Sequence, residues 1–143
     1  MAKKKTKRVP LLQLKTMFFD WIDESLKKRI PKKVGVFNFC LYEEFSMDED
    51  GYFSADLFGC EKYDEEDPDW ACNWCFEGAS RFAFRSDDIE QDWESGLKVA
   101  QDFLREYLAS DRPGAKTMRA VGIVTAGFSD GDIEVVLNEK SSA

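Results

Sequence analysis

The side chains in this chain that could do chemistry are its carboxylates and its thiols. It has 28 aspartates and glutamates, 20 lysines and arginines, four cysteines and no histidine in 143 residues. Without histidine, Ser-His-Asp and Cys-His nucleophiles, His-ligated zinc and histidine general bases are excluded for these residues. The thiols are Cys40, Cys60, Cys72 and Cys75, the last two forming a CxxC pair. Four thiolates can hold zinc tetrahedrally, but such sites are usually built from two closely spaced pairs. Here one pair stands with two single cysteines, and a strand through 70–76 would send Cys72 and Cys75 to opposite faces. The spacing favours small apolar core residues. A small structural domain stabilised by a Cys-ligated metal is the alternative. A thioredoxin-type centre needs CxxC to open a helix, and no helical pattern starts at Cys75.

The carboxylates suggest three chemistries. Asp48, Asp50 and Gly51, and again Asp130, Gly131 and Asp132, resemble pieces of a calcium loop. They lack its full ligand spacing, its distal glutamate and its flanking helices, and Asp-Gly turns account for both. A catalytic carboxylate pair needs one member with a raised pKa in a cleft, and no pattern here announces one. The expectation is a non-enzyme without a cofactor.

The third reading is charge itself. Residues 1–33 carry net +8, residues 34–77 net −12 and residues 78–143 net −4. The middle block also holds 11 of the 20 aromatic residues. Its acids over 43–69 are Glu43, Glu44, Asp48, Glu49, Asp50, Asp56, Glu61, Asp64, Glu65, Glu66, Asp67 and Asp69, interleaved with Tyr52, Phe58, Tyr63, Trp70 and Trp74. Clustered carboxylates steer a basic partner into encounter, and Tyr and Trp are the commonest buried anchors at interfaces. The expected binding set is Glu43, Glu44, Asp48, Asp50, Asp56, Glu61, Tyr63, Asp64, Glu65, Glu66, Asp67, Asp69 and Trp70, gathered into one continuous patch. The expected partner is a basic protein. Duplex nucleic acid would be repelled by this block.

These residues must be positioned by a modest set of elements. Leu11, Leu14, Phe18, Trp21, Ile22 and Leu26 fall on one helical face, with Pro10 at the start, Lys27 to Arg29 in the last turn and Pro31 as the stop. Strands are expected over 34–42, 52–58 and 70–76, with a turn over 43–51 and an acidic loop over 60–70. Asp87 and Glu90 read as the capping box of a second helix carrying Ile89, Trp93, Leu97, Ala100, Leu104 and Leu108 on its buried face. Residues 118–128 and 133–137 read as two more strands joined at Asp130-Gly131. The order α-β-β-β-α-β-β predicts an α+β domain, an antiparallel sheet of about five strands with two helices on one face. A single domain over 10–140 would follow a basic flexible tail at 1–9. No apolar run is long enough for a membrane helix and no signal-peptide pattern is present, so the expected location is cytoplasmic, with no membrane partner.

The stretches FDWIDESLK, FGCEKYDEEDPDWACNW and GFSDGDIEVV, in a small acidic α+β chain with an aromatic-rich acidic face, resemble the immunity proteins of bacterial toxin–immunity systems. The resemblance implies a stoichiometric inhibitor that covers a toxin, often a nuclease with a basic phosphate-binding groove. The acidic block would then stand in for the phosphate backbone.

Overall fold

The computed structural model describes residues 9–46, 49–90 and 92–139. Of the expected tail only Val9 is described; it is buried and donates its backbone N–H to the Arg85 carbonyl at 3.0 Å. The packed chain therefore includes Val9.

The elements are α1 (Leu11–Ser25), β1 (Val36–Ser46), β2 (Glu49–Cys60), a 3-10 turn (Pro68–Cys72), β3 (Trp74–Glu77), β4 (Phe82–Phe84), α2 (Trp93–Leu108), α3 (Pro113–Val121), β5 (Ile123–Phe128) and β6 (Glu134–Asn138). The α+β class stands. The sheet, however, is mixed and six-stranded, in the order β3-β2-β1-β5-β6 with β4 also paired to β2, and there are three helices among the described residues. β1 and β5 run parallel, Phe37 opposite Val124 through Leu41 opposite Phe128. Parallel neighbours need a long crossover, and here the chain from β2 through α2 and α3 supplies it.

Three local expectations are corrected. Residues 118–121, expected to open the strand over 118–128, instead end a helix over 113–121. Pro113 opens α3, where its missing N–H costs nothing, and Gly122 ends it at φ 97°, a left-handed conformation suited to glycine. The second helix starts six residues later than Asp87: Asp92 is its cap, its side chain accepting from the Ser95 N–H at 2.8 Å. Asp88 instead accepts the first N–H of α1, from Leu11, at 3.0 Å. Finally, 70–76 is not one strand. Asp67 caps a 3-10 turn with Pro68 in its first positions, and β3 begins only at Trp74.

The alternation of β1 and β2 divides the sheet into two faces. Phe37, Phe39, Leu41, Phe53, Ala55 and Leu57 join Leu14, Phe18 and Ile22 of α1, Leu104 and Tyr107 of α2 and Met118 of α3 in one core. All three helices therefore cover the same face. Phe18 sits at its centre, with ring centroids of Phe39, Phe82, Phe84 and Phe103 between 5.1 and 6.0 Å away. Burying a side chain of this size contributes roughly 1.5–3 kcal/mol. Tyr107, fully buried, donates its hydroxyl to Asp23 at 2.5 Å, and Arg112 binds Asp20 and Asp23 at 2.8 and 2.9 Å. That cluster fastens α1 to α2 and to the start of α3.

Candidate binding faces

The sheet face away from the helices carries Asn38, Cys40, Tyr42 and Glu44 of β1 against Phe58, Asp56, Ser54 and Tyr52 of β2. At one end it is covered by a second, smaller apolar cluster of Val36, Cys60 and Trp70, with Tyr63 packed beside it. Asn38 and Thr125 hydrogen-bond side chain to side chain at 2.9 Å in the buried middle.

Beyond them Arg81 holds a polar cluster together. Its Nε and Nη2 reach the two Asp56 oxygens at 3.2 and 2.9 Å, and its Nη1 reaches Glu44 at 3.2 Å. Its guanidinium lies 3.9 Å from the centre of the Tyr42 ring. The Ser54 hydroxyl donates to Glu44 at 2.7 Å. The two-pronged pairing with Asp56 holds the guanidinium above its ordinary pKa. Burial, together with bonds to Cys40 and Asp56, pushes the Tyr42 phenol well above its usual range. Burial likewise raises Cys40. Two members of the expected binding set, Glu44 and Asp56, thus have a partner inside the chain.

The rest of that set does not form one patch. Glu43 follows the odd-numbered side of β1 and lines a cleft beside Trp93, Phe128 and the β5–β6 turn. The 61–69 loop leaves from the other end of the hairpin, where Val36 pairs with Cys60. Eight residue steps along the strand separate Val36 from Glu44, which is about 26 Å at ~3.3 Å per residue. Asp48 and the Asp50 side chain lie outside the described residues.

In the loop, Glu61, Asp64, Glu65, Glu66, Asp67 and Asp69 are all exposed. No basic side chain among the described residues lies within ion-pair distance of them. Asp64 and Asp67 shape the loop by accepting from the Glu66 and Asp69 N–H groups at 3.0 and 3.1 Å. Trp70 is 6% exposed and Tyr63 meets it edge-on at 5.2 Å, so this pair anchors the loop to the sheet instead of facing solvent. The exposed aromatic beside the loop is Trp74, 49% exposed and stacked on Phe58 at 5.1 Å. A second surface indole, Trp93, is 52% exposed at the first turn of α2, where helical periodicity had assigned it to the buried face.

The four cysteines are free thiols that differ in exposure. Cys60 is buried, its thiol pushed up to about 11 first by burial. Cys40 and Cys75 are half-buried, and Cys72 is exposed at the end of the 3-10 turn. Among the described residues no three Cys, Asp or Glu side chains are placed to hold a metal ion, and no helix is long and apolar enough to cross a membrane. Comparison with family models, curated proteins and solved structures gives no match for this chain.

Proposed function

We propose that this chain is a non-enzymatic protein-binding module that engages a basic partner through the 61–69 loop and the Trp74–Phe58 pair beside it. The observation that carries the reading is the contrast between two sets of acids. Glu44 and Asp56 are held by Arg81, whereas the six loop carboxylates, with Lys62 as the one cation in their loop, form no ion pair among the described residues and repel one another. Such a group favours encounter with a positive surface and loses that advantage as salt rises. The exposed indole stacked on Phe58 supplies apolar area of the kind that dominates interface energetics. The resemblance to immunity proteins gives the reading its biological form, a stoichiometric inhibitor covering the basic groove of a toxin.

The test is capture from an extract of the source cell across a salt series, with the native chain and with a variant carrying Glu61→Gln, Asp64→Asn, Glu65→Gln, Glu66→Gln, Asp67→Asn and Asp69→Asn. The expected result is a basic protein, retained at low salt, released as salt rises and missed by the variant. Capture of an acidic protein, or capture indifferent to salt and to the variant, removes the proposal.

A further inference from the structure

At the far end of the hairpin from the acidic loop, the start of α2 and the β5–β6 turn enclose a cleft of about 380 Å³. Its apolar side is Trp93, edge-on to Phe128 at 6.5 Å between ring centres. Its rim is Glu43 from β1, Asp130 and Asp132 from the turn and Glu134 from the start of β6. None of these four carboxylates has an ion-pair partner among the described residues. The nearest basic residue along α2, Lys98, is paired with Asp102 at 2.8 Å. The turn that carries the rim is seated closely on the sheet: a Cβ at Gly127 would lie 2.3 Å from the Asp132 carbonyl oxygen.

We infer that this cleft receives the side chain of an arginine from a protein partner. A flat guanidinium can stack on an indole while its several N–H donors reach carboxylates spread around it. The spread matters, because the acids do not converge in threes on a point as a metal ion would require. An indole left half exposed beside four unpaired carboxylates suits an extended, delocalised cation with an apolar stem. The inference does not depend on the 61–69 loop, which lies at the opposite end of β1, so either can fail without the other.

The experiment follows the side-chain N–H signals of the four tryptophans by NMR, assigned through Trp→Phe variants, while N-acetyl-arginine-N-methylamide is added. One side chain at an exposed cleft binds in the millimolar range. The expected result is a saturable shift at Trp93. N-acetyl-citrulline-N-methylamide, neutral and nearly isosteric, should leave Trp93 unmoved. Glu43→Gln and Glu134→Gln should each weaken the arginine derivative about two- to fivefold. Free L-arginine, whose own carboxylate meets four others, should bind more weakly than the blocked form. No saturable shift at Trp93, or an equal response to citrulline, overturns the inference. Tighter binding of free L-arginine overturns the protein source and assigns the cleft to a small cation.

Discussion

Replacing Arg81 by methionine isolates the polar cluster on the open face of the sheet. Methionine keeps much of the apolar stem and removes the charge. Two ion pairs and one cation–π contact disappear together. The Arg81 side chain is 43% exposed, so solvent screens it and the two pairs contribute together about 0.5–1 kcal/mol. Stacking on Tyr42 adds roughly 0.5–1 kcal/mol. Asp56 is the larger concern: at 15% side-chain exposure it would lose both Arg81 donors while remaining largely covered, at a cost of about 1 kcal/mol. The expected loss is about 2–3 kcal/mol, or roughly 6–10 °C in Tm for a chain of this size. Urea unfolding followed by far-UV circular dichroism measures it. Adding Glu44→Gln and Asp56→Asn to the methionine variant should restore about 1 kcal/mol, because no unpaired carboxylate is then left behind. A loss below ~0.5 kcal/mol for the single variant, or a triple variant no better than the single, would refute the assignment of Arg81 as the group that neutralises these two acids.

Other expectations concern the core and its titrations. Phe18→Ala should cost about 3–5 kcal/mol by calorimetry or urea unfolding, since five aromatic neighbours cannot all collapse into the space; a loss near 1 kcal/mol would mean the centre of the core lies elsewhere. Tyr107→Phe should cost about 1.5 kcal/mol, the lower end for a bond to a charged group, because Arg112 still holds Asp23; an unchanged midpoint contradicts it. Cys60 has a folded pKa of about 11 against an ordinary 9.0. Its contribution is therefore intact below pH 9 and lost as pH rises from 9 toward 11, with a slope of up to ~1.4 kcal/mol per pH unit. The native chain should lose more stability than Cys60→Ala across that window, and parallel pH profiles would refute the burial argument.

Much of the fold is written in local periodicity, and most of what defines the faces is not. The one-sided spacing of Leu14, Phe18 and Ile22 and the alternation Phe53, Ala55, Leu57 are local patterns, and they place those side chains in the core. The parallel pairing of β1 with β5 joins residues more than 80 positions apart and leaves no mark in either strand. Pro113 reads equally as a helix stop and a helix start; Gly122 nine residues on was the available signal for a start. Asp87 and Glu90 match a capping box, yet Asp92 with Ser95 forms the real cap, because Asp88 is engaged by the first N–H of α1. On the binding faces, the exposed acids of 61–69 were legible from composition. Their separation from Glu43 and Glu44 follows only from the length of an unbroken hairpin. The neutralising role of Arg81 depends on β4 crossing back beside β2. The burial of Trp70 reverses its place among the expected binding residues, which rested on composition, and the exposure of Trp93 reverses its helical spacing, because the helix begins only at Trp93.

The reading of the acidic loop requires that its charges hold nothing inside the chain. The urea-unfolding midpoint of the variant with all six loop carboxylates converted to amides tests this at low salt. Amides keep the acceptors that Asp64 and Asp67 offer to the backbone while removing the mutual repulsion. A midpoint equal to or above that of the native chain is predicted; a fall worth more than about 1 kcal/mol would show that these carboxylates are structural, and the loop would no longer stand as a surface kept for a partner.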